Sequence, residues 1–180
     1  MTLGTSVISG LSAHEIARQG LAYLPQTDST FTQLTVSENL RMAGYTVTSS
    51  EYESRVQETM KHFPRLSQYL GSKVHDLSGG ERQMVAMTMA LLRRPSVIMF
   101  DEPTANLAPI VSSQVLETIS SLAHESKLAV VLVEQNARRA LEIGDVAYLL
   151  VSGKKVFEGP AKDLLAHKEL AKMYLGLRPT

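Results

Sequence analysis

Two short stretches hold residue types whose spacing could do chemistry. "LSGGERQ", Leu77 to Gln83, sets a serine and two glycines before a charged first turn and an apolar run. A helix starting there has unsatisfied backbone donors and a positive dipole end, and glycines put no side chain in the way, so Ser78, Gly79 and Gly80 form a candidate anion seat. Ser78 can cap that helix or offer its hydroxyl to the same anion. "VIMFDEP", Val97 to Pro103, places Asp101 and Glu102 after a buried apolar strand, at the end where ligands bind in open α/β sheets. Two adjacent carboxylates suggest divided labour: Asp101 holds a divalent cation through its water shell, and Glu102 orients and deprotonates an attacking water. Read singly, Ser-Gly-Gly is an ordinary helix cap and Asp-Glu-Pro an ordinary strand-end turn. Only the two together are specific.

Short β-rich runs alternating with helical patterns must position these residues, which implies an α/β unit with a largely parallel sheet. Ser12 and Glu15 form a capping box, and Gly20 stops that short helix before the strand "LAYLPQ". Thr35 and Glu38 repeat the box and open a helical region running to about Leu70, interrupted at Pro64. A helix from about Gly80 to Arg93, the strand "SVIMF", a helix from Pro109 to about His124 and the strand "AVVLV" follow. Asn136 caps a helix ending near Gly144, and "VAYLLV" turns at Ser152-Gly153 into "KKVFEG", after which Pro160 opens a terminal helical segment. The chain of 180 residues, 44% hydrophobic, fits one domain. Its 18 basic and 18 acidic residues cancel, so no global field recommends nucleic acid or a membrane surface. No cysteine is present, which excludes thiolate metal sites and disulfides. No run reaches the ~20 apolar residues of a spanning helix, and without a basic leader the N-terminus is not expected to be a secretory signal.

With "LSGGERQ" followed by "VIMFDEP", the chain resembles the nucleotide-binding subunit of an ATP-binding cassette transporter. The resemblance runs from about Ile8 to Leu177. It implies a P-loop NTPase-like (RecA-like) α/β fold, with a mostly parallel sheet and a helical insertion. Residues 36–76 and 77–93 would form the helical subdomain ending in the signature helix, and 94–180 the later part of the core, all within one domain, 1–180. It also implies roles. Leu77 to Gln83 would be the signature, with Ser78, Gly79, Gly80 and Gln83 on the nucleotide. Asp101 would bind Mg²⁺ and Glu102 would be the catalytic glutamate. Ala105 to Ala108 would join two subunits, and Gln26 would contact both Mg²⁺ and the membrane partner. Gln135 stands where the family at large usually has a histidine on the terminal phosphate. The implied cofactors are ATP and Mg²⁺. The implied partners are transmembrane permease subunits and a second ATPase subunit, alike or different, with no nucleic acid, at the cytoplasmic face of the cell membrane. "FPRL" (63–66), "NLAPI" (106–110), "VEQN" (133–136) and "YLG" (174–176) are most similar to the ATPases of branched-chain amino-acid importers and their urea- or amide-importing relatives.

One part of that pattern is missing. The P-loop, G-x-x-x-x-G-K-[ST], which cradles phosphates with backbone N–H groups and a lysine, occurs nowhere in the 180 residues. The expectation is therefore a fold lacking the P-loop strand and the helix after it, with open sheet edges and uncovered apolar surface. Such a chain is expected to be inactive by itself while supplying a signature to a partner's ATP. "PQTDST" also departs from the glycine and arginine that usually follow the glutamine, which bears on contact with the membrane subunit. His14, His62, His75, His124 and His167 lack metal-ligand spacing. Met84, Met87 and Met89 read as core filling, and Arg93 and Arg94 as charges at a helix C-terminus. The exposed side of residues 36–70 is the candidate docking surface. Two other readings are a non-hydrolysing subunit that completes a partner's site and the C-terminal lobe of a DNA-repair ATPase. The latter should have a long heptad coiled coil before the signature, where a compact helical insertion stands instead.

Overall fold

The computed structural model describes residues 1–27, 29–126 and 128–167. The chain separates into two compact units, Met1–Leu132 and Val133–Thr180. The first opens with a small antiparallel hairpin of β1 (Thr2–Leu3) and β2 (Ser6–Val7), turned at Gly4 with φ +57°. Sequence patterning did not anticipate it, because two residues are too few to show an alternation. Helix α1 (Ala13–Arg18) starts at the expected box, where the Ser12 amide donates to the Glu15 carboxylate at 2.8 Å. Gly20, at φ +94°, ends the turn and leads into β3 (Leu21–Leu24).

The helical region expected to run to Leu70 divides into α2 (Val36–Ala43), α3 (Ser49–Met60) and a 3₁₀ stretch at Pro64–Tyr69. Pro64 supplies no amide for an α-helical bond and so begins the tighter turn. Val36, Leu40, Phe63, Leu66 and Val74 form the buried interior of this part. The buried Asn39 ties the preceding loop to it. Its Nδ2 donates to the carbonyls of Phe31 and Thr35, both at 2.9 Å, and its Oδ1 accepts from the Phe31 amide at 2.8 Å. Every polar atom of that side chain is thereby used, as burial requires.

Next come α4 (Gly79–Leu91), β4 (Val97–Asp101), α5 (Pro109–Glu125) and β5 (Ala129–Val133), whose last residue lies at the unit boundary. The sheet order is β3-β4-β5, and β3 runs parallel to β4 in the register Leu21↔Val97 to Leu24↔Phe100. Alternation buries Leu24, Ile98 and Phe100 on one face, among Val85 and Met87 of α4 and Ile119 and Leu122 of α5 in the core set. Tyr23 and Val131 are 55% and 46% exposed. The sheet thus shows uncovered apolar surface.

In the second unit, α6 (Ala137–Ile143) is capped by Asn136 as expected, and β6 (Val146–Val151) pairs antiparallel with β7 (Lys154–Pro160). Ser152 and Gly153, at φ +50° and +75°, make the two-residue turn that matches strand twist. Ala147, Leu149 and Phe157 pack with Leu141 of α6 and with Ala161 and Leu164 of α7 (Ala161–Ala166). On the ribbon, Val146, Tyr148 and Leu150 stay exposed. The "YLG" motif at 174–176 lies outside the described residues.

Candidate functional site

Strand β4 delivers Asp101 as its last residue, and Glu102 follows in the left-handed region at φ +47°. A bulky non-glycine residue there is uncommon and costs backbone energy, a feature that gathers at functional sites. The turn is closed by the Ala105 amide on the Glu102 carbonyl at 3.0 Å. Gln26, two residues beyond β3, donates from Nε2 to Glu102 Oε2 at 3.0 Å. Two residues named from the sequence, 76 positions apart, thus meet.

Tyr23 was missed. Its phenol donates to Asp101 Oδ2 at 3.0 Å, and the carboxylate beside it pushes the Tyr23 hydroxyl above its usual range. Register explains the contact. Tyr23 pairs with Met99, so Asp101, two residues on, lies on the same face within reach of an aromatic side chain. No signal in β3 alone could have found it, because the contact depends on the β3–β4 register.

The signature is built locally. Ser78 caps α4: its amide and hydroxyl donate to Glu81 Oε2 at 2.8 and 2.7 Å, while the Glu81 amide points back to Ser78 Oγ at 3.4 Å. Hydrogen bonds from Tyr69 and then Ser78 hold the Glu81 carboxyl below the usual carboxylate range. The Ser78 hydroxyl therefore caps rather than standing open to an anion. The glycines also serve packing. A Cβ on Gly80 would lie 2.4 Å from Val111 Cγ1, and one on Gly79 would lie 2.9 Å from Leu107 Cδ2. The first-turn amides at 79 and 80, which helix geometry leaves without intrahelical acceptors, are the groups that an anion would meet. Gln83 is half-buried in the second turn of α4.

Ala105 to Ala108 form the turn leading into α5, with Asn106 at φ +60° and the Leu107 amide on the Thr104 carbonyl at 3.2 Å. That turn carries Leu107 to Gly79 and so links the two candidate corners within the first unit. Gln135 lies in the second unit, where its carbonyl accepts from the Ala137 amide at 2.8 Å. Among the described residues no group of three or more His, Cys, Asp or Glu side chains could hold a metal ion. The Asp101–Glu102 pair with the Gln26 amide still suits Mg²⁺, which keeps most of its waters and takes one or two carboxylates together with substrate phosphates.

An acid pair at the end of β4 met by a glutamine from beyond β3, with the glycine-opened α4 between those parallel strands in the chain, is an α/β arrangement suited to phosphates and a divalent cation. The ABC transporter family profile matches residues 3–105, and the chain belongs to that family. It is 47% identical over 170 residues to the probable branched-chain amino acid transport ATP-binding protein LivF of Archaeoglobus fulgidus, covering 94% of this chain and 72% of the relative. It is 37% identical over 167 residues to the high-affinity branched-chain amino acid transport ATP-binding protein BraG of Pseudomonas aeruginosa, covering 93% and 71%. The lipopolysaccharide export system ATP-binding protein LptB of Escherichia coli is 34% identical, over 94% of this chain and 70% of that one. Two solved structures share the fold. An ATP-binding cassette of an ABC transporter in its ADP conformation has TM-score 0.78 at 22% identity, covering 94% of this chain and 74% of that one. The cbiO1 protein of Clostridium perfringens has TM-score 0.77 at 21% identity, covering 89% of this chain and 66% of that one. Among the described residues no helix is long and apolar enough to cross a membrane.

Proposed function

We propose that this chain is the ATP-hydrolysing subunit of an importer for branched-chain amino acids or a related small solute, docked on permease subunits at the cytoplasmic face of the cell membrane. The greater identity to LivF and BraG than to LptB favours import of such solutes over lipopolysaccharide export. The observation that carries the reading is the Gln26–Glu102 bond of 3.0 Å beside Asp101. It brings together, from two strands, the three side chains that magnesium and an attacking water need. In this reading Asp101 and Gln26 hold Mg²⁺, which neutralises charge on the phosphates, and Glu102 orients the water and takes its proton. Ser78, Gly79, Gly80 and Gln83 face the ATP of a second subunit, and Gln135 donates a hydrogen bond to the terminal phosphate. Residues 36–76 and 77–93 act as the helical subdomain, residues 94–180 as core, and the exposed side of 36–70 receives the permease.

The 180 residues carry no G-x-x-x-x-G-K-[ST], so these residues by themselves are expected not to turn over ATP. This same gap supports a second reading, a non-hydrolysing subunit whose signature completes the site of a P-loop-bearing partner. Mg·ATP hydrolysis is measured for the chain alone and with permease and partner ATPase. The proposal expects none alone. Turnover in the assembly that Ser78→Arg removes is common to both readings, and its loss in Glu102→Gln selects the first. Hydrolysis by the pure chain that Glu102→Gln abolishes overturns the prediction of inactivity. Assembled turnover indifferent to both substitutions overturns the site.

A further inference from the structure

The first unit holds a polar cleft at the opposite end of the strands that carry the acid corner. Gly20 immediately precedes β3 and Ser96 immediately precedes β4, and both line a cleft of about 460 Å³ together with Arg18, Arg55, Arg93 and Arg94. Asp101 lies five residues beyond Ser96 along β4, about 16 Å at the rise of an extended chain. The cleft is therefore separate from the candidate nucleotide site.

Its charge is only partly balanced by the protein. Of four arginines, Arg55 pairs with Glu51 at 3.5 Å and Arg94 pairs with Glu58 at 2.5 Å. Hydrogen bonds from Ser12 and, after them, the charge of Arg18 lower the Glu15 carboxyl on the same helix. Arg93 follows α4, and a charge there offsets the helix dipole. That dipole contributes about half a negative charge at the helix C-terminus, less than the full charge of Arg93. The Arg55 guanidinium is also poorly served. Its Nη1 reaches the Leu92 carbonyl at only 3.4 Å, and its Nε is buried with no hydrogen-bond partner. A buried cationic donor without an acceptor is costly, and native structures seldom keep one without reason.

We propose that this cleft binds a multiply charged phosphate-type oxyanion, held between Arg18, Arg55, Arg93 and Arg94. Guanidinium groups are planar forks that grip tetrahedral phosphate oxygens in pairs, and the volume suits a phosphorylated small molecule. The same chemistry could come from a free phosphate ester or from a phospholipid headgroup. The site does not depend on the transport reading.

The full chain is titrated with sodium pyrophosphate by calorimetry and, separately, sedimented with phosphatidylglycerol vesicles, using phosphatidylcholine vesicles as reference. Arg18 and Arg93 are exposed, so the double variant Arg18→Gln with Arg93→Gln keeps the fold, which circular dichroism checks. The result expected is one pyrophosphate per chain, weakened at least tenfold by the double variant and unchanged by Arg138→Gln in the second unit. Vesicle binding lost in the same double variant, without pyrophosphate binding, supports the site with a headgroup as its ligand. If neither probe distinguishes the double variant from the wild type, the arginines serve only the helix ends and the proposal is overturned.

Discussion

The signature turn and the acid corner are built in opposite ways. Ser78 and Glu81 satisfy each other within four residues of chain, with Tyr69, 12 positions before Glu81, adding a hydrogen bond to the same carboxylate. Asp101 and Glu102 are held by Tyr23 and Gln26, 78 and 76 positions away, and only the register of β3 on β4 brings those residues in. The local motif is robust but already self-satisfied, so an anion must compete with Glu81 for Ser78. The long-range corner depends on packing, and its strained Glu102 backbone marks it as the place where chemistry is set.

The sharpest way to break this contrast is at Glu102. In the assembled transporter Glu102→Gln should lower the hydrolysis rate by about 10²- to 10⁴-fold, while the same substitution leaves the chain's unfolding midpoint nearly unchanged. A loss below tenfold would assign the proton to another group. Next in size is Gly80→Ala, whose new methyl collides with Val111. Overpacking of this kind costs about 1–3 kcal/mol, read from denaturant unfolding. Val111→Ala in the same chain should recover part of it, and simple additivity would show that the contact is not the cause. Removing the cap by Ser78→Ala should cost about 0.5–2 kcal/mol. Tyr23→Phe, which deletes an exposed bond, should cost about 0.5 kcal/mol or less, and the reverse ranking would undo the comparison. Acid should probe the caps last. Glu38 and Glu81 are held below the usual carboxylate range by their box partners. Their stabilisation is therefore fully present above the ordinary glutamate value and is lost as pH falls from roughly 4 downward. Replacing both by glutamine should flatten the acid limb of a melting-temperature profile.

Much of the fold was legible because the sequence announces its helix starts. Ser12, Thr35, Ser78 and Asn136 all sit at observed N-caps, and Ser152-Gly153 turns the hairpin as read. Elements without such punctuation were not legible. The β1–β2 hairpin is too short for periodicity, and the break between α2 and α3 falls at Gly44, where the polar run looked continuous. At the site, Gln26 and Glu102 were each named from the resemblance and only the structure shows that they meet, while Tyr23 was hidden because strand register cannot be read from one strand alone. A packing use of Gly79 and Gly80 was hidden as well, because the sequence does not show that Leu107 and Val111 fill the space where a Cβ would lie.

That filling has a mechanical consequence. With Val111 seated in the notch at Gly80 and Leu107 against Gly79, the mouths of α4 and α5 interlock like a tooth in its socket. A tilt of the helical insertion must carry the first turn of α5 along with it, or else the tooth lifts and leaves a void that only a larger residue could plug.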